Sequence, residues 1–318
     1  MMAAFQFVRA CSKEGIKPIV GSELNVCRDM HDKSVKDNGY PTVFLAKNKK
    51  GYHNLAKLAS KAYTDGFYYV PRIDRALVEE YKNDLIVLTG GLFGEVPSLI
   101  LNVGETQAEE ALLFWKSLMG DDFYVELNRH GLEEEVVVNE TLMSLASKHG
   151  VKLVASNNSY YTRQDQSEAH DILLCVKDAR NVSEPKRYVG KRGREFRFGF
   201  PNDSFYLKSP EEMKRLFADV PEAITNIAML VDEVETYALE RDVLLPAFDI
   251  PSEFVHAEDA KDGGKRGENA YLRHITFQGA ERRYSEITEE VRERLEFELH
   301  TIERTGYPGY FLIVQDFT

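Results

Sequence analysis

The chain has 318 residues, more than one typical domain requires, and 43% of them are hydrophobic, enough for a sizeable core. Asp and Glu total 52 against 40 Lys and Arg, a net charge of −12 that excludes broad adhesion to nucleic acid or an anionic membrane and confines any such contact to a local patch. Cys11, Cys27 and Cys175 are far apart with no CxxC pair, which excludes a disulfide framework and a thiolate zinc cluster. No apolar run reaches bilayer length and no signal-peptide pattern opens the chain, so a cytoplasmic protein without membrane contact is expected.

The first predicted element is a helix from Met2 to Glu14, with Phe5, Val8 and Cys11 on one face and Gly15 placed to end it. Ile16 to Val26 reads as a buried strand and Thr42 to Leu45 as a short one, followed by a helix from Tyr52 to Tyr63. Leu85 to Leu88 is another apolar run; Glu105 to Leu118 is a helix carrying the single tryptophan, Trp115. Phe123 to Leu127 alternates as a strand, Glu133 to Lys148 is helical, and Val151 to Ala155 is again a strand. Strands alternating with helices of this length predict an α/β fold of parallel βαβ units, with chemistry at the C-terminal strand ends.

Asn181 to Asn202 breaks this rhythm with glycines and prolines among basic residues and reads as a loop. Ser209-Pro-Glu-Glu212 has the form of a helix N-cap, and Pro221 to Tyr237 gives a further helix. Residues 246–266 lie in a proline-bearing, acidic, aperiodic stretch and read as a linker between a first domain, 1–245, and a helical segment, 267–318. In the latter, Gly267 to Tyr284 and Thr288 to Thr305 are amphipathic.

Several runs in order resemble a single family: Gly15–Glu23 (GIKPIVGSE), Leu45–Asn48 (LAKN), Gly51–Leu55 (GYHNL), Gly66–Asp74 (GFYYVPRID), Gly94–Pro97 (GEVP), Glu168–Cys175 (EAHDILLC), Phe205–Met213 (FYLKSPEEM) and Gly306–Val314 (GYPGYFLIV). They resemble the N-terminal PHP domain, and the start of the polymerase region, of the bacterial replicative DNA polymerase III alpha subunits (polymerase family C). The resemblance implies a PHP-type (β/α) barrel followed by a mostly helical segment leading into the polymerase core. It also implies that a strand, helix and strand of the barrel would precede Met1, leaving the barrel incomplete at its N-terminus.

Active PHP domains hold two or three metal ions with histidines and carboxylates at strand ends, a set that lowers the pKa of bound water. By the resemblance, Glu23 is the sole surviving ligand position, and its own site is expected to be empty of metal. Pro41 or a neighbour stands in place of a histidine, Gly91 of a cysteine, Asn158 of an aspartate and Tyr160 of a histidine. An amide carries no charge and a phenol is a poor neutral donor, so a dismantled, metal-free site is expected. His53, His130 and His170 are the available substitutes, read here as packed or capping residues.

The palm carboxylates of the polymerase would lie beyond Thr318, and Asp316 is not one of them, so no catalytic residue and no cofactor is expected in this chain; magnesium would serve the parent polymerase. The implied partners are the proofreading exonuclease (epsilon) subunit, for which a metal-free PHP domain would be a platform, and, through the parent protein, DNA, the sliding clamp and the clamp loader. A free-standing phosphoesterase of the histidinol-phosphatase type, or a PHP domain that itself acts as a metal-dependent 3'-5' exonuclease, is the alternative. Lys186, Arg187, Lys191, Arg192, Arg194 and Arg197 form the densest basic cluster, readable as a DNA-phosphate contact or as a solvated loop in which Glu184 and Glu195 interleave.

Overall fold

The computed structural model describes residues 3–190, 193, 195–240 and 247–318. Two compact units divide the chain between residues 240 and 241. The elements of the first are α1 (Ala4–Lys13), β1 (Gly21–Cys27), β2 (Tyr40–Ala46), α2 (Lys49–Thr64), β3 (Arg72–Asp74), α3 (Arg75–Tyr81), β4 (Leu85–Leu88), α4 (Glu95–Asn102), α5 (Glu105–Met119), β5 (Phe123–Asn128), α6 (Glu133–His149), β6 (Lys152–Ser156), α7 (Ser167–Asp178), β7 (Lys186–Arg187), β8 (Arg197–Phe198), α8 (Pro210–Leu216) and α9 (Pro221–Glu233).

A six-stranded sheet of order β3-β1-β2-β4-β5-β6 organises this unit. The expectation of uniformly parallel strands is corrected at β2, which runs antiparallel to both β1 and β4, while the other pairings are parallel. The hydrophobic pattern is silent on this point, because buried strands of either sense read as apolar runs. The predicted loop at 181–202 contains the short β7/β8 ladder, and Tyr188, Arg197 and Phe200 within it are buried.

The main core lies on the sheet face that carries Phe44, Ala46, Phe123, Val125 and Leu127, and the helices α2 to α6 fill it. Asn48 starts α2 by accepting from Lys50 N (2.9 Å) and Gly51 N (3.0 Å). Gly51 has no side chain because a Cβ there would sit 2.1 Å from the Asp84 carbonyl. Trp115 packs against Phe44, Phe114 and Phe123, and its indole N–H donates to Glu95 (2.8 Å), which also pairs with Arg75 (2.5 Å). The opposite sheet face carries Val43, Leu45, Ile86, Leu88, Tyr124 and Val154, packed with Leu230 and Val234 of the α9 region. The Lys17 amine donates to the Val231 carbonyl (2.7 Å), and Glu235 N to the Lys47 carbonyl (2.7 Å), fastening the end of α9.

In the second unit, α10 (Asp259–Asp262), α11 (Arg266–Arg283), α12 (Glu289–Thr305) and α13 (Pro308–Phe317) follow one another. The stretch read as a linker contributes to it: Phe254 packs on Tyr271 (5.2 Å between centroids), and Arg266 pairs with Asp259 (2.8 Å) and Asp262 (2.7 Å). Thr288 caps α12 as expected. Among the described residues no helix is long and apolar enough to cross a membrane.

Candidate functional site

Strand register explains how distant residues meet. Glu23 lies opposite Val43, Val43 opposite Leu88 and Leu88 opposite Tyr124, so all four share one row. Side chains alternate along a strand, which places Glu126 and Asn128 on the same face as Tyr124, toward the C-terminal end of β5. Pro41 of β2, two residues from Val43, shares this face, and its carbonyl lies 2.9 Å from the point where a Cβ on Gly90 would stand. Two of the remaining sequence positions meet directly, and Asn128 joins them: a Cβ on Gly91 would lie 3.1 Å from Asn158 Nδ2 and 3.5 Å from Asn128 Oδ1. Tyr160 is exposed, and crowding by surrounding protein atoms and the charge of Glu23 raise its hydroxyl pKa.

Electrostatically the place is acidic but weakly charged. Glu126 is buried, and burial raises its carboxyl pKa against the pull of its Ser156, Asn128 and Gly90 hydrogen bonds. Its backbone N–H donates to Thr89 Oγ1 (2.9 Å), and Asn128 Nδ2 donates to its Oε1 (3.2 Å). Glu126 Oε2 and Asn128 Oδ1 are both buried without a hydrogen-bond partner among the described residues. The Glu23 side chain is exposed, yet crowding by protein atoms and the neighbouring Glu126 push its carboxyl pKa up as well.

Burial, with Oε2 left without a donor among the described residues, favours the protonated acid. A carboxyl whose pKa is higher folded than unfolded costs stability once the pH rises past its ordinary value, here 4.5. Glu126→Gln is expected to leave stability unchanged below that pH and to raise it by about 1–3 kcal/mol at about pH 8, since the amide cannot ionise and adds a donor. Thermal melts of both proteins across that pH range check this, and equal pH profiles would refute it.

Next to these groups His130 is buried, stacked flat on Phe205 (4.2 Å, 5°). Its Nε2 accepts from Asn158 N (3.2 Å), so Nδ1 carries the proton and donates to Glu135 Oε1 (2.6 Å). Glu135 Oε2 also accepts from His130 N (2.5 Å). His130 is thus a positioning residue that ties the β5 end to the segment bearing Asn158, in agreement with the packed reading. His170 is ringed by Tyr160, Tyr161 and Phe200, and burial lowers its pKa. His53 lies edge-on to Tyr52.

The residues present do not fit a multinuclear metal centre. Where charged or imidazole donors would be needed, Gly91 supplies none, Asn128 and Asn158 supply neutral amides, and Pro41 supplies a carbonyl already packed on Gly90. Among the described residues no three His, Cys, Asp or Glu side chains are grouped to hold an ion. Glu126 is the member that sequence reasoning missed: one acid in an apolar strand looks like an outward residue until the register sets it near Glu23.

Of the basic cluster, Arg197 is buried and makes a two-pronged pair with Asp171 (2.8 and 2.8 Å), whose carboxyl it holds below the usual range. Lys186 lies 3.9 Å from the same carboxylate, and the Arg187 guanidinium sits 3.8 Å over the Phe196 ring. Lys191, Arg192 and Arg194 lie outside the described residues.

Residues 1–130 match the PHP domain family, and residues 270–318 match the family described as "Bacterial DNA polymerase III alpha NTPase domain". A DNA polymerase III subunit alpha of Treponema pallidum is 37% identical over 322 residues, covering 100% of this chain and 26% of the relative. Those of Borreliella burgdorferi and Thermus aquaticus are 35% and 34% identical, again over 100% of this chain and 26% and 30% of theirs. The chain spans about a quarter of the length of these relatives. From a PHP-domain match at its start to a polymerase-region match at its end, the chain is similar along its whole length to bacterial DNA polymerase III alpha subunits.

Proposed function

We propose that the chain is part of a cytoplasmic, DNA-directed DNA polymerase of chromosome replication, a nucleotidyltransferase that uses magnesium at carboxylates this chain does not supply. Within that protein the first unit is a PHP domain, its sheet drawn into a (β/α) barrel, that serves as a metal-free docking platform for the proofreading exonuclease (epsilon) subunit. DNA, the sliding clamp and the clamp loader are partners of the whole protein. What supports the metal-free reading is the convergence of Gly91, Asn128 and Asn158 beside a buried Glu126 whose raised pKa favours the neutral acid. Such a set packs as a polar plug and gives a divalent cation little charge to bind.

Two measurements test the reading. After incubation with zinc, manganese and iron and exhaustive dialysis, elemental analysis should find less than one tightly held ion per chain; two or more would overturn the metal-free assignment. In size-exclusion chromatography the chain should co-elute with the exonuclease subunit in equimolar amounts, and separate elution would overturn the platform.

A further inference from the structure

We propose that the loops at 28–39 and 65–71, together with the end of α2, form a stacking platform for the unpaired bases of a single-stranded nucleic acid. The proposal does not rest on the polymerase reading.

Its base is a buried arginine. Arg72 is fully buried and donates from Nε to the Gly66 carbonyl (3.1 Å), from Nη1 to Asp37 O (2.8 Å), and from Nη2 to Met30 O (2.9 Å) and Asp32 O (3.4 Å). One guanidinium thereby fixes both loops to each other. Gly66 permits the approach, since a Cβ there would fall 1.9 Å from the Arg72 carbonyl.

On this rigid base the chain displays rings to water. Tyr63, Phe67 and Tyr69 are 66%, 49% and 63% exposed, although nearby apolar residues are buried. Tyr63 and Phe67 stack at 6.4 Å and 23°, and Tyr68 meets Tyr69 edge-on at 4.6 Å. Tyr69 holds a φ of +62°, a conformation that a bulky side chain adopts only when its surroundings enforce it. Strain maintained to turn an aromatic ring outward is a feature of binding surfaces rather than of cores.

Charge selects the occupant. Lys36 Nζ lies 4.7 Å from the Tyr69 ring centre, and the exposed Arg28 and Lys33 make no ion pair among the described residues. The loop's acids accept from backbone donors, Asp29 from His31 N (2.8 Å), Asp32 from Ser34 N (2.8 Å) and Asp37 from Gly39 N (2.9 Å), and the Ser34 hydrogen bonds, with a smaller pull from Arg28, hold the Asp32 carboxyl below its usual range. Flat exposed rings bordered by Lys33 and Lys36, which make no ion pair among the described residues, suit bases on the rings and phosphates on the cations, with little sequence preference because every base offers a π face. A duplex keeps its bases stacked internally and offers no free base face to the rings, so it is the poorer ligand.

The test uses the 318-residue chain and a fluorescein-labelled oligo-dT of about twelve nucleotides, read by anisotropy. Tyr69→Asn suits the left-handed backbone and removes the ring; together with Phe67→Ala it should weaken binding roughly tenfold or more with an unchanged melting temperature. Lys36→Ala should weaken binding and lower the salt slope by about one. A duplex of equal length should bind more weakly. Independently of any variant, oligonucleotides bearing 5-iododeoxyuridine should photo-crosslink to Tyr63, Phe67 or Tyr69 in the unmodified chain. No binding of oligo-dT, binding unaffected by the ring substitutions, duplex binding as tight as single-strand binding, or crosslinks only elsewhere would each overturn the proposal.

Discussion

Arg72→Ala is expected to lower the stability of the first unit by about 3–5 kcal/mol, seen as a fall in the urea midpoint at an unchanged m-value. The substitution removes the donors of four carbonyls, and those of Gly66 and Met30 are bonded in the buried interior, where water cannot replace the lost partner. It also empties the space of one of the largest fully buried side chains in the unit. Lysine should rescue only part of the loss, because a single ammonium on a flexible stem cannot reach carbonyls spread around a planar fork. Full rescue by lysine, or a loss below about 1 kcal/mol, would show that the loops are held by other contacts.

The second large effect is expected at Glu135. Glu135→Ala removes the acceptor for both His130 N and His130 Nδ1–H, leaving two donors of a buried residue unpaired beside the Phe205 ring. A loss of about 2–4 kcal/mol follows, together with faster amide exchange at Asn158, whose N–H is held by the now unsupported imidazole. Glu135→Gln keeps one acceptor oxygen and should fall between the two. Unchanged exchange at Asn158 would separate the His130 pair from the positioning of the strand-end cluster.

Much of the architecture was legible because it rests on periodicity. The runs predicted at Leu85 to Leu88, Glu105 to Leu118, Phe123 to Leu127 and Glu133 to Lys148 match β4, α5, β5 and α6 to within a residue or two, and Ser209 forms the expected capping box. Strand β3 was not legible: three residues, one of them an arginine, cannot show alternation. Nor was the reversal of β2, for pairing sense leaves no mark on an apolar run. At the site, the resemblance pointed to Glu23, Pro41, Gly91, Asn158 and Tyr160; the fold sets Gly91 against Asn158, Pro41 beside Gly90 and the Glu23 charge within reach of Tyr160. Glu126 and the His130–Glu135 pair became visible only through register and burial, which no single segment contains. Arg72 is the extreme case, since an arginine beside a proline in a turn-like run reads as surface until four carbonyls are found around it.

The bond between Lys17 and the Val231 carbonyl joins positions 214 apart, whereas the strands of the sheet pair with partners much nearer along the chain. Loop-closure entropy makes such a distant link the least favourable to form early, and contact order ties that cost to rate. The sheet and its flanking helices can therefore assemble from local pieces, with α9 docking afterwards as a latch. The same order, run backwards, makes the far end of α9, beyond the Ala223 that belongs to the main core, the first part to come away.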